Sequence, residues 1–253
     1  MVFVGIDFAW TDKNPSGLAS LAWDGEALLL SKTDRKTGIS AILNWVEAEC
    51  RDGDGLVAVD APTIIRNFAG QRPAEAELHR RFGKYDAGPY PANLSRPFAR
   101  ETTRLGCLLE TLGFKHAATI VPQVPGRFQI EVFPHPAIVQ LFDLGQIVKY
   151  KKGRVAKRAS ELSRLRDLML RYLPETVPHL APPMLPIVSG SEQELKAIED
   201  QLDAVICAYI AAHWWYWGCK RNEVFGDADS GYIIVPKRIQ RAPSLVAAGG
   251  KNI

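Results

Sequence analysis

Four acidic residues stand alone inside apolar segments of this chain. Asp7 is the only charge in MVFVGIDFAWT, Asp60 in LVAVDAPTII, Glu131 in FQIEVFP and Asp203 in LDAVICAYIAA. An ionised carboxylate in a dry segment is costly unless something compensates it. One such residue suits a partner arginine. Four, spread along the chain, point to a shared cation. Asp200 precedes Asp203 by three residues, so on a helix the two share a face. Carboxylate oxygens are hard ligands suited to Mg²⁺ or Mn²⁺. Two such ions about 4 Å apart activate a water and stabilise the leaving oxygen of a phosphodiester. This chemistry needs neither a serine nucleophile nor a histidine. The competing reading makes each acid structural: Asp7 caps a turn, Asp60 orders the loop at Ala61-Pro62, Asp203 pairs with a buried arginine. For Asp203 a solvated face fits poorly, because Ile206, Cys207 and Ile210 surround it at helical spacing. Asp200 has Glu199 and Lys196 close by, so a supporting or surface role fits it as well as metal ligation.

The elements that must position these acids alternate between strand and helix. Residues 2–9 are β-rich and alternating, and residues 17–23 and 26–33 flank the Asp24-Gly25 turn signal, which reads as a hairpin. The three form an antiparallel meander. Ile39, Ile42, Leu43 and Val46 have helical spacing within 38–50. The run 55–60, between a glycine turn and a proline, reads as a buried parallel strand. Strand–helix–strand implies a right-handed crossover, so 55–60 is expected parallel to 2–9 and beside it. Both strands then end in Asp at one edge, where parallel sheets bind ligands. Further helices are expected at 73–82, 100–113, from Pro134 to about Leu144, and within 149–173. A strand is expected at 128–133. Ser191 with Glu194 is a capping-box signature opening a long helix to about Trp217. GYIIVP at 231–236 reads as a last strand, and the tail after it as frayed.

Length and composition fit one soluble domain over 1–253 with insertions or lid segments at 62–127 and 145–191,. No apolar run reaches the roughly 18 residues of a bilayer span. The N-terminal segment lacks signal-peptide features. Cys50, Cys107, Cys207 and Cys219 have no zinc-type spacing,. A reduced, cytoplasmic protein is expected, with no membrane partner and its oligomeric state open.

Charge is unevenly spread. Lys149 to Arg171 holds nine basic residues and two acids, a local excess of +7. Lys151, Lys152, Arg154, Lys157 and Arg158 are candidates to follow a phosphate backbone, against the plainer reading of a solvated helix face. Arg66 to Arg104 adds eight basic residues with Tyr85, Tyr90 and Phe98 among them. Such a mixture suits a single strand or a nucleotide, or a packed lid. His135, four residues after Glu131, suits metal, water or merely a turn. Trp214, Trp215, Tyr216 and Trp217 read as packing. No GxxxxGK[ST] or GxGxxG phosphate loop occurs.

VGIDFAW, VAVDAP, IEVFPHPA, DQLDAVICAYIAA and GYIIVP, in this order over nearly the whole length, resemble the family of predicted RNase H-like nucleases, domain of unknown function 429. The Asp-x-x-Asp-Ala helix is also similar to that of Holliday-junction resolvases. The resemblance implies an α/β, RNase H-like mixed sheet, a three-stranded antiparallel meander plus parallel strands, flanked by helices. It implies metal-dependent phosphodiester hydrolysis of nucleic acid, with Asp7, Asp60, Glu131 and Asp203 catalytic and these four plus Asp200 holding Mg²⁺ or Mn²⁺. A catalytically weak nucleotide- or nucleic-acid-binding module of the same fold is the alternative. An actin-like ATPase fits less well, since bulky Phe8, Ala9 and Trp10 follow Asp7 where phosphates would need glycine.

Overall fold

The computed structural model describes residues 1–51 and 53–239. Its first three strands are β1 (Val2–Asp7), β2 (Pro15–Trp23) and β3 (Leu28–Thr37). Asp24 shapes the β2–β3 turn, its Oδ1 accepting from the Glu26 and Ala27 amides at 2.8 Å each, an Asx-type turn. Helix α1 (Ile39–Glu49) crosses back to β4 (Gly55–Val59). With β5 (Lys115–His116) and β6 (Arg127–Glu131), these strands make one six-stranded sheet of order β3-β2-β1-β4-β6-β5. β1, β2 and β3 pair antiparallel, and β1, β4, β6 and β5 run parallel. Val2 pairs with Gly55 and Ile6 with Val59. The two strands therefore end level, and Asp7 and Asp60 leave the sheet at the same edge, as the strand–helix–strand pattern predicts.

Side chains alternate across a strand, and that period divides the core. Val4, Ile6, Val57 and Val59 pack with residues of α1 and of α3 (Ala99–Thr111). Phe3, Leu56 and Ala58 face the other layer, centred on α6 (Glu192–Trp217). Asp7 and Asp60 follow the second phase and face α6. This helix starts at a capping box. The Glu194 amide donates to Ser191 Oγ, and the Ser191 amide donates to Glu194 Oε2.

α6 lies unusually close to the sheet, and two glycines permit it. A Cβ on Gly5 would sit 2.0 Å from the Ala204 carbonyl oxygen and 2.4 Å from the Ala208 nitrogen. A Cβ on Gly17 would sit 2.0 Å from the Asp200 carbonyl oxygen. These are backbone atoms of a buried helix and cannot move alone. The contact fixes the height of Asp200 and Asp203 above β1 and β2. Gly5→Ala is expected to destabilise by at least the ~1–3 kcal/mol of an overpacked core. Gly145→Ala, with nothing within 4 Å of its Cβ, serves as the control and stays within about 0.5 kcal/mol. Equal urea midpoints for the two variants would show that the close approach does not hold α6.

Two boundaries differ from expectation. The segment 62–127 is not all insertion: Leu105 and Leu109 of α3 are core residues, and β5 belongs to the main sheet. What stands outside the core layers is the stretch 62–98, carrying α2 (Pro73–Phe82). Likewise 145–191 is largely core, because Leu162, Leu165 and Met169 of α5 (Val155–Tyr172) are fully buried with residues of α6. α4 (Pro134–Leu141) follows β6 directly. GYIIVP forms β8 (Gly231–Pro236), paired with an unanticipated β7 (Asn222–Asp227) as a separate hairpin. It meets the main sheet through a bridge between Val132 and Ile234 and through the Tyr232 hydroxyl, which donates to the Gln129 carbonyl of β6 at 3.1 Å. The tail expected to fray beyond this strand lies, past Ile239, outside the described residues.

Candidate active site

A cavity of about 670 Å³ opens at the carboxyl edge of β1, β4 and β6. Asp7 and Asp60 line it, each part-buried. Neither carboxylate makes a direct hydrogen bond or ion pair with another described residue. Burial raises the pKa of Asp7 well above the usual carboxylate range. Lys151 works against that shift, while Asp203, Asp60 and Asp200 add to it. Burial likewise lifts Asp60 to about 7, with Lys151 lowering and Asp203 raising it.

Asp203, whose charge bears on both, is fully buried on α6. Its Oδ1 accepts from the Tyr150 hydroxyl at 2.6 Å. Lys151 Nζ is 2.8 Å from Oδ2, but off the hydrogen-bonding direction, so that oxygen lacks a directed donor. Lys151 is 30% exposed and lines the cavity. Burial acts against its ammonium, yet Asp203, then Tyr150, Asp7 and Asp60, hold its pKa well above the ordinary lysine value. Sequence reading offered Lys151 as a phosphate contact. Its place in the structure is that of a counter-ion to the acids.

Asp200 and Glu131 do not join this group. Asp200 is buried and held by Arg35, with Nη2 at 2.7 Å and Nε at 3.0 Å, and by Lys196 at 2.8 Å. Two cations satisfy it, which corrects the expectation of a free ligand. Glu131 pairs in register with Val59, so it leaves the sheet on the face opposite to Asp60. There Arg72 grips it, with Nη1 to Oε2 at 2.9 Å and Nη2 on Oε1. Arg72 also donates through Nε to Glu75 Oε1 at 2.7 Å, while the Glu75 carboxylate accepts the Arg72 amide at 2.6 Å. All three side chains are buried. Glu131 thus forms a wall of the cavity as half of an ion pair, not as an open donor.

The basic candidates separate too. Arg158 is buried, donating to Glu192 at 2.9 Å, to Glu199 at 3.4 Å and to the Tyr150 carbonyl at 3.3 Å. That removes it as a nucleic-acid contact. Lys152 lines the cavity, and Arg154 and Lys157 are exposed. His135 also lines the cavity. Burial first, and Lys151 second, lower its pKa to about 4 against a raising effect of Asp203. It is a neutral imidazole at pH 7 with its Nδ1 buried and unbonded.

The donor set suits a hard divalent cation. Among the described residues two carboxylates, Asp7 and Asp60, have no direct partner, Asp203 has an oxygen without a directed donor, and the ligands are all oxygen. Three carboxylates against one ammonium leave −2 when all are ionised, matching the charge of one such ion. The acids are not gathered into a closed shell: among the described residues no three His, Cys, Asp or Glu side chains form a metal-binding group. Lys151 supplies the compensating charge instead.

Arg72, Glu75 and Tyr150 were not foreseen. Arg72 lies 59 residues from Glu131 in a Pro-, Gly- and Arg-rich stretch, where nothing local marks it as buried. Among the described residues no helix is long and apolar enough to cross a membrane. No curated protein matches the chain, and no solved structure matches it. A family model does match, over residues 5–228, from the strand that carries Asp7 to the β7–β8 turn. The chain belongs to that family, described as "Protein of unknown function (DUF429)".

Proposed function

We propose that this protein is a Mg²⁺- or Mn²⁺-dependent phosphodiesterase acting on nucleic acid or a nucleotide, built on an RNase H-like fold. One observation carries the reading. Asp7 and Asp60, with no direct partner among the described residues, open onto a cavity, and the buried Asp203 is near enough to raise the pKa of both. The meander of β1–β3 followed by parallel β4 and β6 supports the fold assignment. Asp7, Asp60 and Asp203 would hold the metal, one ion or two. When bound, it would supply Lewis-acid polarisation of a phosphoryl oxygen and a water of lowered pKa. Lys152 lines the same cavity and orients a phosphate, while Lys196 beside it is held by Glu199 and Asp200. Neutral His135 can accept or donate one proton at Nδ1. Glu131 and Arg72 hold the wall.

Lys151 favours a second reading. An ammonium already placed against Asp203 suits a module that binds nucleotide or nucleic acid with little or no turnover. A panel of single-stranded, duplex, hybrid and branched substrates in Mg²⁺ and Mn²⁺ separates the two. Hydrolysis predicts cleavage of at least one substrate, loss in chelator, and at least 100-fold slower cleavage by Asp7→Asn. Binding of Mn²⁺ and substrate with no cleavage of any would replace the enzyme by the binding module.

A further inference from the structure

The walls of this cavity are more specific than its acidic floor. The stretch 62–98 covers one side, and it is fastened down. Arg72 ties it to Glu131 on β6, and the Gly226 amide of β7 donates to Glu77 at 3.1 Å. The covered space is therefore preformed. Its volume of about 670 Å³ lies within the ~300–1,000 Å³ typical of small-molecule pockets. A duplex, whose major groove alone is about 12 Å wide, does not fit inside it.

An aromatic run lines the mouth. Trp10 and Tyr90 both face the cavity. Phe98 packs against both, with ring centroids 4.4 Å from Trp10 and 6.2 Å from Tyr90. Trp10 has φ 59°, a conformation that is strained for a bulky residue. The fold holds it there through a hydrogen bond of 2.9 Å from its indole nitrogen to the Asp60 carbonyl. Such strain persists only where surroundings over-determine it, and it gathers at ligand sites. Tyr90 is 58% exposed although its ring is large and apolar. The Arg96 guanidinium lies 4.9 Å from that ring. Exposed Lys152 brings positive charge to the same cavity.

We infer that the cavity takes a single nucleotide unit, either free or at an unpaired position of a strand. Its base stacks on the wall formed by Trp10 and Tyr90, and its phosphate lies toward Lys152. A continuous duplex does not enter the cavity. This rests on the reading that the cavity is the reacting site. Aromatic rings hold bases through their π-faces regardless of sequence, so selectivity is for an unpaired base rather than for its identity.

The test measures binding of adenosine, of AMP, of a short single strand and of its blunt duplex, in chelator and in Mn²⁺. AMP and the single strand are expected to bind and to compete, with the duplex at least tenfold weaker. Tyr90→Ala, at an exposed position that folding tolerates, is expected to weaken adenosine and AMP roughly 5- to 150-fold, the equivalent of ~1–3 kcal/mol per stacked base. Tyr90→Phe stays within about twofold. Lys152→Ala weakens AMP but not adenosine. A duplex that binds as tightly as AMP, or a Tyr90→Ala variant with unchanged affinity, overturns the inference. Binding in chelator needs no turnover. Absence of cleavage with these affinities intact therefore removes only the hydrolysis, and internal cleavage of duplex at full rate by Tyr90→Ala removes only the single-unit site.

Discussion

Arg72→Met is expected to destabilise the fold by about 3–5 kcal/mol, the effect of breaking a buried ion pair from one side. The arginine is 1% exposed and faces two buried carboxylates, Glu75 and Glu131. It also donates to the Ile64 carbonyl at 2.7 Å. Methionine fills much of the volume but leaves two acids without a cation. Even with the arginine present, burial pushes Glu131 up to about 7, although Arg72 pulls it down. Without Arg72 it moves further up. A carboxylate with a raised folded pKa takes up protons in the folded state where the unfolded chain is ionised. Stability then falls as pH rises from the unfolded value near 4.5 through the folded one,. The Arg72→Met deficit is therefore expected to be largest at pH 8 and to shrink toward pH 5. Adding Glu131→Gln to Arg72→Met should recover more than half of the loss at pH 8. Urea midpoints at the two pH values check this. A deficit under about 1 kcal/mol, or one that does not change with pH, would show that the triad does not hold the lid to the sheet.

That triad marks where sequence reading stops. Asp7 and Asp60 were legible because a continuous apolar run and a meander fix both strand direction and neighbour, and the pleat then fixes the face. Asp203 was legible because Ile206, Cys207 and Ile210, which follow it at helical spacing, are apolar. Glu131 looked equivalent to them, yet Ile130 and Val132 are the core-facing residues of its strand. Glu131 and Gln129 share the other phase, and that alternation was readable. Arg158 was readable too. It stands in one buried stripe with Leu162, Leu165 and Met169, at helical spacing, which marks it as buried rather than as part of a solvated basic face. Lys151 was not readable. It sits among lysines on a loop, and only the tertiary approach of that loop to α6 separates it from Lys152. The strand β7 was missed because NEVFGD alternates weakly and pairs outside the main sheet.

Removing one carboxylate from the floor of the cavity is expected to leave the metal-free protein as stable or more so, and to abolish its response to metal. Asp60 has a folded pKa of about 7 against an ordinary value of 3.8, and Asp7 is raised in the same direction. Both are raised-pKa acids, so in chelator the wild-type protein loses stability as pH climbs from about 4 to 7. For Asp60 alone the rise from 3.8 to about 7 corresponds to on the order of 4 kcal/mol, and the opening to the cavity lowers that toward about 2. Asp60→Asn deletes its share of the fall, and Asp7→Asn does the same. Divalent metal offsets the same repulsion in the wild-type protein. At 100 times its Kd an ion bound only to the folded state adds about 2.7 kcal/mol, most at pH 8, where the acids are ionised. In either asparagine variant Mn²⁺ should raise the melting temperature little or not at all. Lys151→Met sharpens the comparison. It strips the counter-ion from Asp203, so metal-free stability should drop while the stabilisation by Mn²⁺ grows beyond that of wild type. Melts of these four proteins at pH 5 and pH 8, in chelator and in millimolar Mn²⁺, decide the matter without a substrate. A wild-type protein indifferent to Mn²⁺, with both asparagine variants strongly destabilised, would make Asp7 and Asp60 structural residues held by Lys151 and end the case for metal-dependent hydrolysis.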